Sequence, residues 1–313
     1  MTQAALVTTC YQEAEAIDHF LDAILHQSRP PDEIVIVDAG SDDGTVQGIR
    51  ARIAAGAPIG LIVQPGANRS VGRNRAIEAC TAELVAVTDV GSLPAADWFE
   101  QIVAPLEADA DVDIVAGYYE PAPRSSWEAA VAAATVPAVD EVDPASFLPS
   151  SRSVAFRRRA WEAAGGYPEH AWHNEDTPFD LALKASGARF VFAPAALVRW
   201  RPQSSLRGLY TQFRRYARGD GEECLWFSHY AKAYLLALAC LGLLWVSLLW
   251  PGWLWGYAAL AVLYWARHAG RAKRRTRSWP VAALAPVANA IVDVAHLVGY
   301  TAGMLSRKSQ GER

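Results

Sequence analysis

Two rhythms of apolar and polar positions alternate along the first two hundred residues. Ala4–Cys10, Ile34–Val37, Ile59–Val63 and Leu84–Asp89 are apolar, often β-branched runs of strand length, and Asp113–Tyr119 reads as a fifth. Between the first two, Ile17, Phe20, Leu21, Ile24 and Leu25 recur at the spacing of one helix face. Further helices are expected over about 45–55, over about 71–80, and through Trp98 and Ile102. Strand–helix alternation at these lengths predicts βαβ units, so an α/β fold with a mainly parallel sheet flanked by helices. Beyond it, Ser153–Arg158 and Arg189–Pro194 read as strands around a helix near 178–186. The stretch from Trp161 to Asp176 is loop-rich and crowded with aromatic, His and acidic residues.

The pattern changes after Arg199. Six arginines and no acid occupy 199–218, and 233–266 then carries no charged residue at all. As one helix that apolar run would be about 50 Å long, too long for a bilayer core of about 30 Å. Pro251-Gly252 divides it into a hairpin whose tip carries Trp250, Trp253 and Trp255. Basic residues flank both ends, including a basic loop at 267–277, so the positive-inside rule places the flanks in the cytoplasm. In 279–305, Asn289, Asp293, His296 and Tyr300 form one polar stripe, suiting an amphipathic interfacial helix or a membrane span with the stripe against the hairpin. The expected division is a cytosolic domain over 1–220 and a membrane region over 221–313. A buried hairpin in a soluble protein is the alternative.

The chain's 313 residues suffice for one large core and an appendage, and its net charge of −4 excludes a general nucleic-acid binder. Four scattered cysteines, Cys10, Cys80, Cys224 and Cys240, form no zinc pattern and are expected as reduced core residues. No basic, apolar leader precedes the strand at Ala4, so no signal peptide is expected.

The chemistry-bearing residues gather at expected strand ends. Asp38 closes the second strand and runs into a turn, AGSDDGT, where a parallel sheet places its ligands. Asp42 and Asp43 in that turn are expected to cap the next helix. Arg73 and Asn74 open a helix after a glycine-containing loop, an anion site suited to a diphosphate. Asp89 ends the fourth strand, and Glu175-Asp176 precedes a helix.

The strings VTTCYQEAEAI, IVIVDAGSDDGT, GANRSVGRNRAIEAC, AVTDVGSLPAADW, AGGYPE, NED and QFRRY, in that order, resemble the membrane-attached family 2 glycosyltransferases of GT-A fold. The resemblance covers about 3–220. It implies a nucleotide-sugar donor held by Thr9, Tyr11, Glu13, Asp38, Arg73 and Asp89, with Asp38 accepting from the base. It implies Mg²⁺ or Mn²⁺ at Asp89, although Gly91 stands where the family's second acid would be; His173 is the candidate for a second ligand. Asp176, assisted by Glu175, would be the catalytic base of an inverting transfer, with Asp180 as a fallback. Gln212, Arg215 and Tyr216 match a QxxRW-type motif, with Tyr for Trp, that would hold the acceptor or diphosphate; the alternative for Arg214 and Arg218 is contact with anionic lipid. The implied function is sugar transfer to a lipid-linked or glycan acceptor at the inner (plasma) membrane, with membrane lipid as a partner. A sugar-nucleotide nucleotidyltransferase would need a basic, Gly-rich loop where TTCYQEAEA stands. A non-catalytic membrane scaffold with a decayed site is the remaining alternative.

Overall fold

The computed structural model describes residues 2–311, with side chains through Arg307, and its contacts divide into two compact units. The first comprises 1–120 and 138–201; the second comprises 121–137 and 202–313. The expected boundary at 220 falls inside a continuous helix, and the excursion at 121–137 joins the second unit.

In the first unit the chain runs β1 (Ala4–Cys10), α1 (Ile17–Leu25), β2 (Glu33–Asp38), α2 (Thr45–Ala54), β3 (Ile59–Val63), α3 (Arg69–Ala79) and β4 (Leu84–Val87). Then come β5 (Ser92–Pro94), α4 (Trp98–Ala108) and β6 (Ile114–Pro121). After α5 (Ser126–Thr135), which belongs to the second unit, follow β7 (Val154–Arg157), α6 (Arg158–Ala163), α7 (Asp176–Ala185) and β8 (Phe190–Trp200). The sheet order is β3-β2-β1-β4-β7-β6-β8-β5. It is parallel from β3 to β4, as the alternation predicts, but β7 runs antiparallel to both β4 and β6, and β5 to β8. The sheet is therefore mixed. The short β5 was not legible as a strand, and β8 extends to Trp200 because its later residues pair with β5.

Period-two alternation sends the parallel strands' side chains to two cores. Leu6, Ile34 and Ile36 pack with Phe20, Trp98 and Phe99 on one face; Val7, Val35 and Val37 pack with Ile77, Tyr167 and Phe179 on the other. Burial on both faces explains the unbroken apolar runs. The register Cys10↔Asp38 and Val7↔Val87 aligns the C-terminal ends of β1, β2 and β4 along one edge.

The second unit holds α5, α8 (Leu206–Glu222), α9 (Phe227–Leu249), α10 (Leu254–Thr276) and α11 (Trp279–Gly311). The turn between α9 and α10 falls at Pro251–Trp253, where proline punctuates the apolar run. The basic stretch at 267–277 is not a loop: α10 continues to Thr276. Ala, Arg and Lys are strong helix formers, and cations suit a helix C-terminus. Of the cysteines, all free, Cys10 and Cys80 are buried but Cys224 is exposed.

Two helical stretches, Phe227–Leu249 and Trp279–Arg307, are long and apolar enough to cross a bilayer. The polar stripe of α11 turns toward its helical neighbours. Asp293 accepts from the Tyr264 hydroxyl at 2.8 Å, His296 packs near Phe213 and Tyr230, and Tyr300 stacks on Tyr230 at 3.8 Å. Trp279, Val287, Val294, Val298 and Leu305 are left outward.

Close approach of α8 and α11 depends on glycine. A Cβ at Gly303 would stand 2.8 Å from the Glu222 amide nitrogen, and one at Gly299 would stand 2.9 Å from the Ala217 Cβ. Overpacking there is expected to cost about 1–3 kcal/mol. Gly303→Val should therefore lower the unfolding midpoint of the detergent-solubilised chain, read by circular dichroism, whereas Ala302→Val in the same turn should cost less.

Candidate active site

The loops after β1 and β2 are tied to each other. Gln12 N donates to Ser41 Oγ at 2.9 Å and Glu13 N to Thr45 Oγ1 at 2.8 Å. Asp43 accepts from Thr45 N, Thr45 Oγ1 and Ala14 N, and Asp42 accepts from Gln12 Nε2. Asp42 thus binds loop to loop, while Asp43 does so and also accepts from the first amide of α2, one residue before Gly44 at the N-cap position. Asp38 is fully buried. Its Oδ1 accepts from Gly40 N at 2.9 Å and Ser41 N at 2.8 Å; its Oδ2 accepts from Ser41 Oγ at 2.6 Å and Cys10 Sγ at 3.4 Å. A carboxylate offers about four lone-pair sites, so these donors saturate it. Tyr11, 58% exposed, stands above on the same rim.

Helix α3 begins earlier than its pattern suggests. Asn68 caps it by accepting from Val71 N at 2.9 Å, which leaves Arg73 and Asn74 a turn inside the helix rather than at its mouth. Gly72 lets α3 lie against β1, since a Cβ there would run into the Thr9 side chain. Asn74 is spent on structure: it holds the backbone of Tyr167 through both its amide groups and accepts from Trp161 Nε1.

Arg73 is the centre of the site, with its side chain 1% exposed. Nη2 donates to Asp89 Oδ1 at 2.8 Å; Nη1 donates to Glu175 Oε1 at 2.8 Å and to Asp176 Oδ1 at 3.3 Å. The guanidinium carbon lies 5.3 Å from the Tyr167 ring centroid. Four residues proposed from three separate motifs, Arg73, Asp89, Glu175 and Asp176, therefore meet in one hydrogen-bonded cluster. Glu13 stands near enough for the Asp89 charge, after burial, to raise its carboxyl.

The two outer carboxylates are tuned differently. Burial alone would raise Asp89, but Arg73, Arg152 and Arg69 outweigh it and hold Asp89 below the ordinary range. Asp176 is raised, by burial first and then by the charges of Glu175 and Asp89, against the pull of Arg73. The serines before β7, which sequence reasoning missed, complete its surroundings. Ser151 Oγ donates to Asp176 Oδ1 at 2.5 Å, and Ser151 N to Oδ2 at 3.2 Å. The Ser151 oxygen, 3.0 Å from the Tyr167 hydroxyl, is then left to accept from it. The signal was present as a serine run, PSSRS, ahead of a strand, but nothing in it names a partner.

Asp180, one turn beyond Asp176 on α7, is 3% exposed, and its Oδ2 finds no partner among the described residues. The other sequence candidates, Gln212, Arg215 and Tyr216, lie on α8 in the second unit, where Gln212 Nε2 donates to the Tyr216 hydroxyl at 3.0 Å.

Asp89 fits a divalent cation as a single, ionised carboxylate, 31% exposed, at a strand end. Among the described residues no group of three or more acidic, His or Cys side chains surrounds an ion position, so phosphates and water would have to complete the sphere. His173 lies in the loop two residues before Glu175. At Gly91 a Cβ would meet nothing within 4 Å, so the missing second acid is not excluded by space.

Comparison with known proteins decides the family. The sequence pattern described as "Glycosyl transferase family 2" matches residues 5–161, and that of "Glycosyl transferase family group 2" matches 84–292. The chain belongs to glycosyl transferase family 2. This glycosyltransferase is 27% identical over 237 residues to the succinoglycan biosynthesis protein ExoA of Rhizobium meliloti (strain 1021), covering 72% of this chain and 71% of that protein. Its fold is similar to that of the mannosyltransferase PcManGT from Pyrobaculum calidifontis, solved with GDP-Man and Mn²⁺, at a TM-score of 0.64 and 21% identity over 95% of this chain and 87% of that one. S. aureus TarS 1–349, solved with UDP, matches at a TM-score of 0.52 and 16% identity over 69% and 65%. These similarities show the GT-A fold.

Two outcomes follow from the cluster. Arg73→Gln leaves three carboxylates without their shared cation and should cost about 3–5 kcal/mol in denaturant unfolding; a loss under 1 kcal/mol would contradict the buried network. Burial first, and then the Asp176 charge, place Asp180 well above the usual carboxylate range, against Lys184, while Tyr167 also faces it. A carboxyl raised in the fold contributes stability below its unfolded value of about 3.9, and that contribution is lost as pH rises through the folded value. The melting temperature of the transferase should thus decline relative to Asp180→Asn as pH rises from about 4; parallel curves would show that Asp180 titrates normally.

Proposed function

We propose that this glycosyltransferase inverts configuration as it moves one sugar from a nucleotide-sugar donor to a lipid-linked or glycan acceptor at the cytoplasmic face of the inner membrane. The observation that supports this reading is the Arg73 cluster, which sets an ionised carboxylate, Asp89, beside a carboxylate of raised basicity, Asp176. Separation of two acids into such roles by environment suits a donor-binding group and a general base.

In this reading Tyr11, Glu13 and the loop held by Asp38 receive the nucleoside, with Thr9 supporting α3. Asp38 shapes the base site through Gly40 and Ser41, since its own oxygens are occupied. Asp89 would hold Mg²⁺ or Mn²⁺ together with the donor phosphates; such an ion neutralises the diphosphate. Asp176 takes the proton of the acceptor hydroxyl. The acceptor oxygen bonds to the anomeric carbon as the bond to the distal phosphate oxygen breaks, and that oxygen keeps the electron pair. Ser151 and Glu175, through Arg73, fix the orientation of Asp176. Gln212, Arg215 and Tyr216 would serve the acceptor or diphosphate.

The name of ExoA, a protein of succinoglycan biosynthesis, supports a polysaccharide-related acceptor. Membrane lipid as a partner is supported by two bilayer-length apolar helices and by the basic end of α10. One short hairpin offers little for a polymer channel, which favours addition of one or a few sugars.

Detergent-solubilised enzyme with Mn²⁺ should turn over a member of a UDP- and GDP-sugar panel in the presence of a membrane lipid extract. Asp176→Asn should slow transfer about 10²–10⁴-fold while leaving nucleotide affinity within twofold. Unchanged turnover in that variant would remove Asp176 from the base role.

A further inference from the structure

The site contains a second guanidinium that no motif announced. Arg152 lies two residues before β7, and its carbonyl oxygen accepts from Thr88 Oγ1 at 2.8 Å, one residue before Asp89. The β4–β7 register, Val87↔Val154, fixes this placement in the sheet. The side chain is also held. Its guanidinium carbon stands 5.4 Å from the Tyr119 ring centroid and 5.2 Å from that of Trp200. Trp200 itself pairs with Ser92, whose amide donates to the Asp89 carbonyl at 2.9 Å. Arg152 Nη1 donates to Ser150 Oγ at 3.1 Å, and Ser150 Oγ donates to Asp176 Oδ2 at 3.4 Å.

These contacts set a half-buried cation between the end of β4, where Asp89 stands, and the base Asp176. Arg73 cannot easily serve a phosphate, because it is almost wholly buried and already meets three carboxylates. The same three acids outnumber Arg73 and would repel a donor's diphosphate unless other cations stood by. Two aromatic faces pre-organise Arg152 at little further entropic cost, and its fork suits paired phosphate oxygens.

We propose that Arg152 binds the diphosphate of the nucleotide-sugar donor and stabilises the charge that collects on it during transfer. This rests on the reading of the site given above. As the acceptor oxygen bonds to the anomeric carbon, the bond from that carbon to the distal phosphate oxygen breaks and its electron pair stays on the phosphate. The acceptor's proton passes to Asp176. Arg152 offers N–H donors to the nucleoside diphosphate at the moment its charge grows.

The test uses the full detergent-solubilised chain and compares UDP and GDP with uridine and guanosine, which lack phosphate. Arg152→Ala should weaken the preferred diphosphate about 10- to 100-fold while leaving the matching nucleoside unchanged, and kcat should fall with it. Arg152→Gln, which can keep the Ser150 contact, should show the same loss if the alanine variant does not fold. Arg152→Lys, which retains charge without the fork, should recover part of the affinity. Equal diphosphate affinity in wild type and variants would overturn the assignment, as would a parallel loss of nucleoside affinity, which marks a structural role. If wild type itself binds neither UDP nor GDP, the functional reading falls and this assignment falls with it.

Discussion

Arg73 meets carboxylates from two separate places in the first unit, the end of β4 and the start of α7, with almost none of its side chain in contact with water. Burying a lone guanidinium would be prohibitive, and burying Glu175 or Asp176 alone would be nearly so. Each makes the other tolerable, so the position of α7 relative to the parallel strands is fixed by charge as well as by packing. Tyr167 completes the enclosure: it stacks on Phe179 of α7 at 4.0 Å and lies beneath the guanidinium. The AGGYPE loop and α7 therefore behave as one piece, held to α3 by Arg73 on one side and Asn74 on the other.

One cation among three acids leaves a negative surplus, and that surplus gives the acids unequal properties. Asp89, nearest the additional arginines, stays ionised; Asp176, half-buried next to Glu175, becomes more basic. Glu175 is 5% exposed and spends an oxygen on Arg73, which suits a brace better than a proton acceptor. Asp180 sits behind with an unpartnered oxygen, buried and facing the same charges, where a protonated carboxyl costs least. The pattern derives from which group meets an arginine, not from residue type.

The parallel half of the sheet was legible because its signal is local: apolar runs of strand length separated by amphipathic helices. In the mixed half, β6, β7 and β8 were legible as strands but their directions were not. Nothing local in VAFR tells that it runs antiparallel between β4 and β6, and three residues in β5 become a strand only when Trp200 and its neighbours come alongside. The site was legible in its members but not in their bonds. Asp38 ends β2 as expected, yet its burial and four donors depend on how the next turn folds back. Arg73 was read as a cation facing outward because a helix start was placed two residues late, and with α3 beginning at Arg69 the side chain instead reaches inward to α7. Arg152 and the serines beside it carried no recognisable spacing, since their partners lie across the sheet.

The second unit reverses the polarity of the first. In the first, apolar side chains fill the interior; in the second, α9 is apolar and open along most of its length, and α11 turns its polar stripe toward α8, α9 and α10. In water this arrangement would waste apolar surface. In hydrocarbon it is the favourable one, because a Tyr or Asp on a bilayer-length helix must find its partner within the protein. The Gly299 and Gly303 contacts belong to the same logic: where lipid is as apolar as leucine, helices gain from close backbone approach rather than from hiding side chains. A helix that merely floated in the interface would turn Tyr300 to water with the rest of the stripe, yet Tyr300 is 1% exposed. Its burial against Tyr230 suits a helix packed among its helical neighbours.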